Sequence, residues 1–152
     1  MSECAICDKH ENDREDFIFS TEEFVISHYP VSDDTPTVYK GHIFVEPKRH
    51  VTSFSQLNES ECLALGSLVS RGTKLLENEL GAEHVYVFTI SHLVPHLHIH
   101  LVPRYPNTPK EFWDRKLQEW NEAPMLGAPE REDLLVRLKK SFQFLTKSGY
   151  IK

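Results

Sequence analysis

His96-Leu97-His98-Ile99-His100-Leu101-Val102 alternates imidazoles with apolar side chains at strict period two. Successive side chains of an extended strand point to opposite faces, so the pattern predicts a strand over 94–102 with two unlike faces. Leu97, Ile99 and Leu101 turn toward a core. His96, His98 and His100 line the other face, with neighbours about 6–7 Å apart at a rise of ~3.3 Å per residue. In such a row one imidazole can attack an electrophile while its neighbours orient it and bind the charge. A phosphorus centre suits this arrangement: neutral imidazole is nucleophilic near pH 7, and the N–P adduct is labile enough for a second displacement. A metal site could also use three such side chains.

Outward from this run, 84–90 (His-Val-Tyr-Val-Phe-Thr-Ile) reads as the strand before it. Upstream, 17–20, 23–28 and 42–46 are short, rich in β-branched and aromatic residues, and also predict strands. Residues 30–41, with two prolines, two aspartates and Gly41, have loop composition. The best helix is 59–80: Asn58 can cap it, Glu61 sits three residues on, and Gly81 follows its end. Cys62, Leu65, Val69, Leu76 and Leu80 keep helical spacing and predict a sheet-facing stripe. The tail predicts helices near 110–121 and 130–146 around a Pro/Gly loop at 123–129. Together these give an α+β fold, an antiparallel sheet of about five strands with a main helix on one face. Neither a repeat nor a long linker divides the chain, so 1–152 is expected to form a single domain.

Composition narrows the partners. The 152 residues are 39% hydrophobic and 26% charged, an ordinary globular balance. A net charge of −6 without a Lys/Arg cluster argues against nucleic acid as the main partner and leaves room for a small phosphate-bearing ligand. No run approaches the ~18 apolar residues of a membrane span. Met-Ser-Glu-Cys has no secretory character, and three cysteines fit a reducing compartment, so a cytoplasmic location is expected.

The triad run resembles the His-φ-His-φ-His-φ-φ signature of the histidine triad (HIT) superfamily. A second stretch, Gly41-His42-Ile43-Phe44-Val45-Glu46-Pro47-Lys48-Arg49-His50, resembles that family's Gly-His-φ-φ-φ-x-Pro-Lys-x-His segment. The resemblance spans about 4–104, leaving 108–152 as a C-terminal helical extension. It implies a hydrolase or transferase acting at the α-phosphate of a small nucleotide, such as a dinucleoside polyphosphate or nucleoside phosphoramidate. His98 would carry the covalent nucleotidyl intermediate, with His42 and His100 lining the same site.

Cys4-Ala-Ile-Cys7 could be half of a zinc site, a redox pair, or neither. No strand precedes it and no helix clearly follows, which weakens the redox reading. Cys62 is a poor further ligand, since it is expected on the buried helix face. The zinc-bearing HIT branch, and the similar galactose-1-phosphate uridylyltransferases, pair such a CxxC with two histidines. By resemblance these match His50 and His96, which would complete a structural Zn2+ site. His10, in Cys-x2-Cys-x2-His, competes for one position.

The chain also departs from the family pattern. Ser91, His92 and Leu93 stand where many HIT hydrolases have Gly-Gln-Ser, and the preceding loop is short, as in the uridylyltransferases. Those enzymes have Gln where this chain has His100, which favours the hydrolase side. Ser91 and His92 are candidate substrate contacts, as is Arg104. His28 or Tyr29 replaces the usual ribose-holding acidic or Asn residue. The family further implies a twofold homodimer, with the apolar strand 84–90 covered by its copy. The tail, with Phe112, Trp113 and Trp120, would then reach the partner's pocket. A zinc hydrolase with a catalytic triad-bound metal and a non-catalytic nucleotide-binding module are the alternative readings.

Overall fold

A computed structural model describes residues 4–147. Most of the tetrapeptide examined for a leader, and the end of the extension, lie outside that range. Five strands form one antiparallel sheet: β1 (Phe17–Ser20), β2 (Phe24–His28), β4 (Ile43–Pro47), β5 (His84–Phe88) and β6 (Ile99–Arg104), in the order β1-β2-β4-β6-β5. Two elements were expected to be loop. β3 (Val38–Tyr39) pairs with β7 (Met125–Leu126) in a separate two-stranded ribbon.

Helix α2 (Glu59–Leu80) begins on a capping box, Asn58 accepting from the Glu61 amide and Glu61 returning to the Asn58 amide. It ends at Gly81 in the left-handed region, at φ +69. Its buried stripe runs through Glu61, Leu65, Leu68, Gly72, Leu75 and Leu76. Cys62, expected on that face, is exposed. The stripe starts one residue earlier, at Glu61, whose carboxylate accepts two bonds from Arg49. At Gly72 the helix comes so near the sheet that a Cβ would stand 2.5 Å from Leu101 Cδ1.

The second long helix, α3 (Ala128–Lys147), packs beside α2 on the same face. Leu134, Leu135, Leu138 and Phe142 join Phe24, Ile26, Ile43, Val45, Leu97, Ile99 and Leu101 in one core. Helix α3 is thereby built into the core of its own chain. Arg131 fastens it further, pairing with Asp16 and donating to the Tyr29 carbonyl at 2.8 Å.

Two sequence expectations fail for local reasons. Residues 110–121 are not an α-helix but two 3-10 turns, 110–112 and 114–119. Asp114, at φ +66, breaks the run, and the Trp113 indole is anchored to the Thr108 carbonyl. The strand expected over 94–102 begins only at Ile99. Pro95 lacks a ladder donor, the His96 amide turns to the Val94 carbonyl, and the Leu97 amide bonds Val51 instead. Side-chain alternation survives the irregular backbone: Leu97, Ile99 and Leu101 are buried in the core.

Candidate functional site

The five-residue histidine run enters two different environments. At one end lies helix α1 (Ala5–Asn12), which the sequence reading missed. Eight polar-rich residues make a marginal helix alone, and only packing stabilises this one. Cys4 is its N-cap and Cys7 lies in its first turn. His96 Nε2 donates to the Pro47 carbonyl at 2.7 Å, so Nδ1 carries the lone pair. That nitrogen faces Cys4 Sγ at 3.4 Å and Cys7 Sγ at 3.5 Å, and His50 Nδ1 lies 3.4 Å from Cys7 Sγ. Burial holds His96 below its ordinary pKa, keeping it neutral. The four ligating atoms fall within 4.8 Å of one another. A tetrahedron with Zn–S of about 2.3 Å and Zn–N of about 2.0–2.1 Å has S···N edges of about 3.6 Å. These residues fit such an ion. His10 does not join them: its Nε2 meets Glu46 Oε2 at 3.0 Å.

Glu46, only 1% exposed, ties α1 to β4. It accepts from Lys9 Nζ at 2.6 Å and Ser27 Oγ at 3.3 Å as well as from His10. Burial pushes its carboxyl up, but the bonds from His10 and Lys9 prevail and hold it below the usual range.

At the other end is a file of imidazoles. His98 Nδ1 donates to the His96 carbonyl at 2.7 Å, which leaves Nε2 as the basic nitrogen. The His100 ring lies 5.0 Å from that of His98. Register puts His100 opposite Phe44 on β4 and Phe88 on β5. Phe88 stacks on its ring at 4.7 Å and Phe44 meets it edge-on at 4.9 Å. Behind it, His42 Nε2 lies 3.0 Å from His100 Nδ1. Burial, then the neighbouring imidazoles, lowers His42 to about 3 and His100 to about 4, so both are neutral near pH 7. His28 is lowered to about 4, chiefly by burial. Its Nδ1 donates to the Tyr29 carbonyl and its Nε2 accepts the Gly41 amide.

His98 and His100 line a pocket of about 500 Å³. Ile6 and Lys9 of α1, Tyr29, Phe44 and the loop 90–94 form its other walls. The candidate contacts Ser91 and His92 line it; Ser91 sits at φ +53 with its hydroxyl 3.0 Å from that of Thr89. Arg104 does not line it. Its guanidinium stacks on Trp113 at 3.8 Å and faces Glu83 at 3.7 Å. Ile6, Lys9 and Glu46 escaped the sequence reading because their roles depend on α1 docking across the sheet. The three triad histidines do not converge on one point, since His96 turns to the sulfurs. Among the described residues, only the Cys4–Cys7–His50–His96 group could hold a metal ion.

Comparison with known proteins agrees with this architecture. Solved structures with the same fold include a hypothetical histidine triad nucleotide-binding protein from Sulfolobus tokodaii, 21% identical, with TM-score 0.70 and 93% of each chain covered. A Zn-bound histidine triad family protein from Mycobacterium smegmatis is 19% identical, with TM-score 0.68 over 96% of this chain and 97% of that one. The diadenosine triphosphate hydrolase of Plasmodium falciparum, crystallised with cyclomarin A, is 14% identical, with TM-score 0.63 over 86% and 78%. A comparison with curated protein sequences found no significant match. The family model described as the HIT domain matches residues 12–107, both histidine motifs included, and the chain belongs to that family.

Proposed function

We propose that this chain is a nucleotide hydrolase or nucleotidyl transferase acting at an α-phosphate through a covalent intermediate on His98. The observation that carries the reading is the His98–His96 carbonyl bond, which reserves Nε2 as a nucleophile in a ring lining the pocket. Nε2 attacks phosphorus, and the leaving group departs with the electrons of its bond to phosphorus. The ring keeps its Nδ1 proton and becomes cationic in the adduct. Water or an acceptor hydroxyl then attacks phosphorus and gives up its proton to solvent, and Nε2 leaves with its lone pair restored. His100 binds and orients the phosphoryl group, His42 holds the His100 ring from behind, and Ser91 and His92 contact the substrate. The diadenosine triphosphate hydrolase among the structural neighbours favours a dinucleoside polyphosphate among candidate substrates.

Cys4, Cys7, His50 and His96 would hold Zn2+, which would supply a structural crosslink of α1 to the sheet and not the nucleophile. The working unit is a homodimer in which a second copy covers the outer edge of β5, where Val87 is 49% exposed. Sedimentation at micromolar concentration should give the mass of two chains. Among the described residues no helix is long and apolar enough to cross a membrane, and a cytoplasmic site of action is proposed.

Intact-mass analysis after mixing with nucleoside phosphoramidates and dinucleoside polyphosphates tests the chemistry. A transient added nucleoside monophosphate on His98 is expected, and the added mass names the transferred group. Tight nucleotide binding with neither adduct nor product over hours would replace the enzyme reading with a binding module.

A further inference from the structure

The proposed chemistry needs a hydrogen-bond donor on the phosphoryl oxygen beside His98, and His100 qualifies only if its proton sits on Nε2. A neutral imidazole carries one proton, so the answer depends on what its other nitrogen meets. His100 Nδ1 meets His42 Nε2 at 3.0 Å, which moves the question back one ring. His42 is 5% exposed, and its remaining nitrogen, Nδ1, lies 3.4 Å from the side-chain Nε2 of Gln118. Gln118 stands in the second 3-10 turn of the tail, beyond residue 107 and outside the part of the chain that matches the HIT model. Leu117, 1% exposed in a cluster with Tyr39 and Val102, fixes that turn over the sheet.

An amide nitrogen can only donate. His42 Nδ1 therefore accepts, its proton is on Nε2, and that proton goes to His100 Nδ1. The proton of His100 is then on Nε2, the nitrogen left for the pocket. We propose that Gln118 is a positioning residue, whose amide sets the direction of the Gln118–His42–His100 hydrogen-bond chain and makes His100 a donor to the phosphoryl group. The inference rests on the nucleotidyl-transfer reading for its purpose but not for its test.

Imidazole 15N shifts separate protonated from unprotonated ring nitrogens, and they are read in the folded protein without substrate. The wild-type chain should show unprotonated Nδ1 and protonated Nε2 on both His42 and His100. Gln118→Glu replaces the donor with an acceptor of the same shape and should reverse both rings. It should also weaken adenosine monophosphate binding about tenfold, the loss of roughly one hydrogen bond. His28, held by Tyr29 and Gly41, is the internal control and should not change. Should the glutamate variant not fold, Gln118→Ala gives the same comparison, with mixed tautomers at His42 and His100. A proton on His42 Nδ1 in the wild type overturns the proposal. So does a His42 Nε2 still protonated in the glutamate variant, or tautomers unaltered by alanine. Should the chain prove inert toward nucleotides while the tautomers behave as expected, the transfer reading fails and the role of Gln118 in the chain stands.

Discussion

His96 and His98 are two residues apart, yet their nearest groups assign them opposite tasks. His96 gives its Nε2 proton to a carbonyl and turns Nδ1 to two sulfurs. His98 gives its Nδ1 proton to a carbonyl and keeps Nε2 for the pocket. In both, one backbone acceptor decides which nitrogen stays basic. The side chain supplies the same chemistry twice, and the second hydrogen bond selects between holding a metal and attacking an electrophile.

Substituting each end in turn should separate the two regions. His98→Ala is expected to lower turnover on the order of 10³-fold or more, as loss of a nucleophile does. Metal content and thermal stability should stay near wild type. Turnover within tenfold would remove His98 as the nucleophile. Cys4→Ser acts at the opposite end and should release the metal and cost about 3 kcal/mol, lowering Tm by roughly 6–12 °C. The transfer step, measured on protein that remains folded, should change far less. Metal analysis beside calorimetry checks this, and a variant that keeps both its metal and its Tm would contradict the assignment.

Stability against pH probes the imidazole region. Unfolded histidines take a proton near pH 6.5, whereas folded His28, facing Arg131, resists to about 4. His42, facing His100, His28 and His98, resists to about 3. Between those values the unfolded chain binds more protons, so stability is fully present above pH 6.5 and falls as the solution is acidified. Each histidine removes up to about 1.4 kcal/mol per pH unit in that window. Urea midpoints from pH 7.5 to 5 should show the decline, and His28→Gln should make it shallower. A flat profile would mean these rings are solvated. Arg104→Gln lies outside both regions and should alter turnover less than twofold, with about 1 kcal/mol lost from the Trp113 stack. A larger kinetic effect would bring Arg104 back to the substrate.

Much of this division was legible beforehand, but not its mechanism. Alternation at 96–101 marked the core-facing side chains even though the backbone ladder starts only at Ile99, because burial of Leu97 and Ile99 does not require a regular strand. Asn58, Glu61 and Gly81 marked α2 through local hydrogen bonding, which sequence records directly. Helix α1 was invisible because its stability comes from Glu46 and His96, 36 to 92 residues away. Gln118 was hidden for the same reason, its partner lying 76 residues upstream. The exposure of Cys62 was not legible, because Glu61, which takes the buried place beside it, is paired there with Arg49.

The Arg131 contact bears on how the molecule comes into being. Its guanidinium closes on Asp16 and on the Tyr29 carbonyl, more than a hundred residues earlier. During synthesis at about 5–20 residues per second, the last histidine of the site leaves the ribosome roughly 1.5–6 seconds before this arginine. In that interval the Tyr29 edge of the pocket lacks its clamp, and the core face later covered by α3 is open to solvent and to chaperones. A product halted before Arg131 would carry every histidine of the site without the guanidinium that holds the Tyr29 carbonyl.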